Sequence, residues 1–191
     1  MKKFCQILIV LAMAISTSAC DLSNISLSRP DVYKLNQKAA EYMNQGLYDD
    51  AIARLVAIND LEPNHPEVYY NLGIAYIKKE DYPHAIEALK KAIELKPDMA
   101  DAYFSLGIAY ESLADLQIQQ VPTTKDFLRQ TELKTQIAQN VQAIYDCYSR
   151  YLEKAPNGAD KEQVQSQIQT LGEKYKGYII NQQNPYQAPQ E

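Results

Sequence analysis

The sequence repeats itself at an interval of 34 residues. The letters LGIAY occur at positions 72–76 and again at 106–110, and Pro63 and Pro97 are separated by the same interval. Self-similarity at a fixed period of this length is typical of arrays in which each repeat is one supersecondary unit that packs on its neighbours. The interval therefore predicts a repeat array.

Within the middle repeat, small and large residues alternate in a way that suits two antiparallel helices. Small residues allow two helices to approach closely, while large ones fill the space between neighbouring pairs. Pro97 then ends the second helix, because proline cannot continue it. The small positions are Gly73, Ala85 and Ala92, and the large ones are Tyr69, Leu72, Tyr76 and Leu89.

This pattern resembles the tetratricopeptide repeat. It departs from the family signature at two positions, where Tyr69 replaces tryptophan and Leu89 replaces an aromatic residue. The resemblance implies an all-α fold, a right-handed superhelical solenoid of about three helix-turn-helix repeats. We place the repeats at 32–65, 66–99 and 100–158, within a repeat domain that spans 31–175.

The third repeat contains an insertion. Pro156 follows Pro97 by 59 residues, which is one repeat plus 25 residues, and we place the insertion at 114–138. Its apolar residues continue at helical spacing from Phe127 through Leu133 and beyond. Pro122 interrupts the pattern, and Thr123 or Thr124 can cap the next helix. The sequence therefore predicts an elongated helical hairpin in the third repeat.

The segment after Pro156 predicts how the array ends. Val164, Ile168 and Leu171 recur at helical spacing on a polar background, which favours a capping helix at 160–172 that covers the last apolar face. The final residues, 176–191, are polar and lack an apolar period, so we expect a disordered tail there.

The N-terminus is typical of an export signal. Two lysines precede a short apolar run and small residues, followed by Cys20. This arrangement resembles the lipobox of bacterial lipoproteins, with Thr17 where leucine is usual. The resemblance implies a signal peptide at 1–19, diacylated Cys20, and a tether at 20–30. The protein would then be anchored in a bacterial cell envelope and face the periplasm, with the choice of membrane open; the alternative is an ordinary signal peptide with a chance cysteine.

Composition and motifs argue against several functions. The formal net charge of -5 disfavours binding to nucleic acid. The sequence contains none of the common metal, phosphate-loop, dinucleotide or nucleophile-elbow motifs. Cys147 lies in an apolar helical pattern without a histidine partner, so we interpret it as a core residue. We therefore expect no enzyme activity, no cofactor and no metal.

The resemblance also implies a binding site, because the first helices of tetratricopeptide arrays line a concave groove. Tyr70, Ile74, Phe104 and Ile108 are large and apolar at groove positions where packing does not require them, which indicates a partner. The basic residues of the family's carboxylate clamp are absent. The complete predicted groove set is Tyr33, Asn36, Gln37, Met43, Tyr70, Asn71, Ile74, Ile77, Phe104, Ser105, Ile108 and Glu111.

The favoured function is a membrane-anchored adaptor that binds a segment of another cell-envelope protein, in complex assembly or enzyme recruitment. The alternative is a self-associating structural lipoprotein, a homodimer formed through the groove or the long third hairpin.

Overall fold

The computed structural model describes residues 32–179, which form seven α-helices and no strand. The predicted all-α fold is confirmed. Consecutive helices pair and stack in sequence, so that each helix contacts the next along the chain. The helices are α1 (Val32–Asn44), α2 (Tyr48–Leu61), α3 (Pro66–Lys78), α4 (Tyr82–Leu95), α5 (Ala100–Gln120), α6 (Phe127–Lys154) and α7 (Lys161–Lys174).

The small positions of the repeat bring the two helices of each pair into contact. A Cβ atom on Gly73 would lie 2.8 Å from a methyl carbon of Leu89, and one on Gly107 would lie 2.7 Å from Cδ1 of Tyr148. Glycine is needed at both sites because the partner side chain occupies the space that a Cβ would take.

The first two pairs are closed by the same turn. Gly46 has φ of +76° and Glu80, 34 residues later, has φ of +63°. Each turn returns two backbone N–H groups to carbonyls of the preceding helix, in the pattern of a Schellman motif. The equivalent residue of the third repeat, Ala114, stays inside α5 and is fully buried. Because this left-handed turn is missing, α5 continues to Gln120.

The third pair is the elongated hairpin that the sequence predicts. Its arms, α5 and α6, contain 21 and 28 residues, whereas α3 and α4 contain 13 and 14. In the extension Val121, Leu133 and Ile137 are buried, in an apolar cluster that continues into the end of the array. Phe127 is a correction, because its side chain is 76% exposed although its spacing placed it on the apolar face. α5 ends at Gln120 and does not extend beside the first turn of α6, so the Phe127 side chain has no helix to pack against.

The turn at the end of the hairpin also differs from the prediction. Asp126, and not Thr123 or Thr124, caps α6, since its carboxylate accepts hydrogen bonds from the backbone N–H groups of Leu128 and Arg129. The two threonine hydroxyls donate to the carbonyl of Gln120 at 2.9 and 2.8 Å. They complete the end of α5 and are not available to α6.

The last helix, α7, packs on α6. Val164 and Leu171 are buried as expected for a capping helix. Tyr175 is fully buried and Tyr178 packs against the same cluster, so the folded domain extends past the predicted boundary at 175. Residues 180–191 lie outside the described part, as do 1–31 with the predicted signal peptide and Cys20. Within 32–179, no helix combines the length and apolar character needed to cross a membrane.

Candidate functional site

The first helices of the three pairs lie next to one another. α1 contacts α3, and α3 contacts α5. Two pairs of predicted groove residues meet across these contacts. Asn71 on α3 donates a hydrogen bond of 2.9 Å from its amide nitrogen to the amide oxygen of Asn36 on α1. One repeat further along, the Tyr70 hydroxyl lies next to the Ser105 side chain, which lowers the pKa of Tyr70. One pair of predicted groove residues thus spans α1 and α3, and the other spans α3 and α5.

An open pocket of about 470 Å³ lies where α3 and α5 begin. Its walls come from the first turns of both helices and from the loop that connects α4 to α5. The repeat register identifies Glu67, Tyr70 and Asp101 as first-helix residues, but it carries no signal for the loop residues. The complete lining is Glu67, Tyr70, Lys96, Asp98, Met99, Ala100 and Asp101.

The charges of this pocket are mainly acidic. Lys96 lies 3.6 Å from Glu67 and offsets one carboxylate. Neither Asp98 nor Asp101 has an ion-pair partner among residues 32–179, and both are exposed. Burial raises the pKa of Tyr70, the bond to Ser105 lowers it, and the charge of Asp101 raises it further. At neutral pH the pocket thus offers a protonated phenol beside two unpaired carboxylates, which favours a cationic group.

The predicted groove residues differ in how far they reach solvent. Tyr33 and Gln37 are exposed. Asn36, Asn71, Ile74 and Ile108 are half-buried, while Ser105 is buried, with only 5% of its surface exposed. Met43 and Ile77 are also half-buried and pack against the apolar clusters beneath them. The exposed and half-buried members remain candidates for contact with a ligand.

Phe104 does have a packing role, which corrects the interpretation from sequence. Its ring centroid lies 5.3 Å from that of Tyr151 and 6.1 Å from that of Tyr148. Tyr151 stands at a repeat position that is usually small, so it fills space toward α5 and meets Phe104. Tyr70 is likewise half-buried and packs against an apolar cluster. Binding remains a prediction for both residues.

Glu111 is held by groups from α6 and α7. Its carboxylate accepts hydrogen bonds from the Tyr148 hydroxyl at 2.9 Å and from Lys174 Nζ at 2.7 Å. Lys174 also lies 2.8 Å from Asp115, whose other oxygen accepts a bond of 2.7 Å from the Tyr175 hydroxyl. This network covers Glu111 at the α7 end of the array, so a ligand there would compete with Lys174.

The described chain offers no metal centre and no activated thiol. Within residues 32–179, no group of three or more His, Cys, Asp or Glu side chains is arranged to hold a metal ion. Cys147 is buried, and burial raises the pKa of its thiol to about 12. The thiol is protonated at neutral pH and is therefore a poor nucleophile.

Comparisons with known proteins agree with this geometry. Residues 75–113 match the family model described as TPR repeat. No curated protein sequence is similar enough to this chain to count as a relative.

Three solved structures illustrate the likeness in fold. The first tetratricopeptide domain of RPAP3, bound to the HSP90 peptide SRMEEVD, has a TM-score of 0.59 at 20% identity, over 80% of this chain and 98% of its own. The Sgt2 domain of Aspergillus fumigatus has a TM-score of 0.59 at 19% identity, over 83% and 91%. The Yersinia enterocolitica chaperone SycD, in complex with a peptide of the translocator YopD, has a TM-score of 0.56 at 13% identity, over 79% and 96%. These likenesses agree with the helix pairs and with their internal register. The chain therefore has the fold of a tetratricopeptide-repeat solenoid.

Proposed function

We propose that this protein is a membrane-anchored adaptor that binds a segment of another cell-envelope protein along α1, α3 and α5. The observation that carries the proposal is the open pocket of about 470 Å³ between α3 and α5. Tyr70 lines this pocket and packs against a buried apolar cluster, so its ring is held in place before a ligand binds. A preformed site lowers the entropy lost when a flexible segment binds.

The chemistry of the pocket favours a basic segment. Asp98 and Asp101 are unpaired within the described chain, and Tyr70 adds an aromatic wall. A lysine or arginine side chain can place its charge beside the carboxylates and its apolar stem against the ring. The RPAP3 and SycD domains, which share this fold, are seen with bound peptides. The HSP90 peptide bound to RPAP3, SRMEEVD, is rich in acidic residues. The acidic pocket of this chain instead favours a basic peptide.

The N-terminal sequence supports the membrane part of the proposal. Lys2 and Lys3, a short apolar run and small residues lead directly to Cys20. Two acyl chains on one residue give a lasting anchor where one chain gives a marginal one. An anchored adaptor would hold its partner's segment close to the membrane surface.

The peptide specificity can be tested with a library of short extended peptides in which one position is fixed as lysine or as glutamate. We expect the lysine series to bind more tightly, with affinity that falls as salt increases. Asp98→Asn with Asp101→Asn should weaken this binding by about two- to thirtyfold, because two exposed ion pairs each contribute roughly 0.2–1 kcal/mol.

Asp50→Asn is the matched control. Asp50 is an exposed acid in the first turn of α2, just as Asp101 is in the first turn of α5. The control variant should bind like the wild type. Equal losses in both variants, or preference for the glutamate series, would contradict the assignment of the pocket.

The anchor can be tested separately through Cys20. Cells that express the protein should incorporate labelled fatty acid into it, and mass spectrometry should find the acyl groups on Cys20. Cys20→Ser should abolish the label. A wild-type protein without fatty acid would refute the anchor and leave the peptide result unaffected.

A further inference from the structure

The end of the long hairpin exposes two adjacent apolar side chains. Phe127 and Leu128 are each 76% exposed, more than any other large apolar residue in the described chain. They lie at the first turn of α6, directly after the turn that joins the two arms. α5 is eight residues longer than α3, so this end extends about 12 Å beyond the first helix of the neighbouring pair.

The exposure does not come from a loosely held loop. Gln130 donates hydrogen bonds from its side-chain amide to the carbonyls of Val121 and Thr124 at 3.1 and 3.3 Å. Asp126 caps the first N–H groups of α6, as described above, and the Thr131 hydroxyl donates to the carbonyl of Phe127 at 2.9 Å. Most polar groups of the turn thus have a hydrogen-bond partner within the turn. They would need no partner from an apolar environment that surrounded them.

The charge at this end differs from that of the whole chain. Segment 121–134 contains three basic residues, Lys125, Arg129 and Lys134, and only two acidic ones, whereas the formal net charge of the chain is -5. Asp126 caps α6, and Glu132 lies 3.8 Å from Arg129 and offsets part of its charge, whereas Lys125 and Lys134 have no ion-pair partner within residues 32–179. Basic side chains around an apolar end are complementary to a surface with anionic headgroups.

We propose that this hairpin end, formed by Phe127 and Leu128 with Lys125 and Arg129, inserts into the interface of a bilayer that contains anionic lipids. Two side chains at a convex end are far too few for an ordinary protein interface, which buries about 800 Å² on each partner. A bilayer requires no complementary shape, and its binding grows with the apolar area inserted.

This proposal rests in part on the membrane anchor at Cys20. From Cys20 to Val32 the chain can span at most about 40 Å. α5 contains 21 residues and is therefore about 31 Å long. The tether at full extension is thus longer than α5. Cys20 and the hairpin end can therefore reach the same surface even if the tether begins at the opposite end of the helices. Contact at both points would fix the orientation of the domain.

The absence of tryptophan from the sequence makes a direct test possible. Phe127→Trp in the full chain places a single fluorophore at the hairpin end. Leu61→Trp is the matched control, since Leu61 is 62% exposed at the end of α2. Both chains are reconstituted with vesicles of phosphatidylethanolamine and phosphatidylglycerol. The Phe127→Trp emission should shift to shorter wavelength and be quenched by brominated acyl chains, and the Leu61→Trp emission should do neither.

Further variants separate this proposal from its alternatives. Leu128→Glu in the Phe127→Trp chain should remove most of the shift, as should vesicles of phosphatidylcholine alone. Emission of Phe127→Trp that stays at the wavelength of exposed tryptophan would overturn the proposal, as would an equal shift of Leu61→Trp. A shift that needs an added protein and not lipid would also overturn it. The assay uses no peptide, so its failure is distinct from failure of the groove.

Discussion

Replacing Gly107 by alanine perturbs the contact that joins α5 to α6. A Cβ atom at this position would lie 2.7 Å from Cδ1 and 3.1 Å from Cζ of Tyr148, well inside the optimal carbon separation of about 3.5–4.0 Å. The ring has little room to move aside. Tyr148 is fully buried, and its hydroxyl is hydrogen-bonded to Glu111 at 2.9 Å.

Two opposing effects set the size of the change. Alanine in place of glycine stabilises a helix interior by up to about 1 kcal/mol. An extra carbon in a closely packed core costs about 1–3 kcal/mol. Because the Tyr148 ring is held in place, the cost lies toward the upper end, and we expect a net loss of about 1–2 kcal/mol. For a domain of this size, Tm should fall by about 3–6 °C.

Circular dichroism during thermal and urea unfolding measures this loss. The control is the same change in a Tyr148→Leu chain, because Ala39 and Leu55 occupy the equivalent positions of the first repeat and are both fully buried. In that background Gly107→Ala should be neutral or stabilising. If Gly107→Ala is as stable as the wild type with Tyr148 present, the contact does not limit packing and the reasoning is refuted.

Three further predictions concern the core. Phe104→Ala should lower the free energy of unfolding by about 2–3 kcal/mol, because the half-buried Phe104 ring packs on α6. Tyr33 is exposed, so Tyr33→Ala should change the free energy of unfolding by less than about 0.5 kcal/mol. Equal urea midpoints for the two variants would contradict this. Cys147 is buried and should react with maleimide only after unfolding. Burial raises the pKa of its thiol from 9.0 to about 12. Its contribution to the free energy of unfolding should therefore be complete below pH 9 and be lost as the pH rises toward 12. Rapid labelling of Cys147 in the folded chain, located by peptide mass spectrometry to separate it from Cys5 and Cys20, would contradict that burial. Tyr175→Phe should cost about 1–2 kcal/mol in urea unfolding, since it leaves Asp115 without a buried hydroxyl donor; an unchanged midpoint would show that the bond contributes nothing.

The repeat register was predictable because it depends on contacts at short sequence separation. The 34-residue interval predicts which side chains lie between the helices of a pair, and Ala51, Ala85 and Leu89 are fully buried. The same register placed Asn36 and Asn71 in the groove, and the structure shows that their amides are hydrogen-bonded.

The parts that sequence reasoning missed depend on individual side chains of the altered third repeat. Phe104 was assigned to the groove because packing does not require a large residue at its repeat position, but the large Tyr151 ring reaches it. The cap of α6 was misassigned because three residues that can cap a helix stand within four positions, and only the structure shows that the threonines donate to the carbonyl of Gln120. The pocket residues Lys96 and Asp98 lie in a loop, where no helical period applies.

The apolar face of the long hairpin is continuous, so the number of residues in each arm determines the direction in which the hairpin end faces. α6 has 14 residues more than α4, which is close to four helical turns. Leu133, Ile137 and Val141 recur every four residues, so each lies within about 40° of the azimuth of the one before it, and all three belong to the apolar cluster of Tyr148 and Tyr151 nearer the array. Lengthening or shortening both arms by whole turns would preserve that azimuth and change only the reach. A single-residue change in one arm would rotate everything beyond it by about 100°, so that Phe127 and Leu128 would face a different direction.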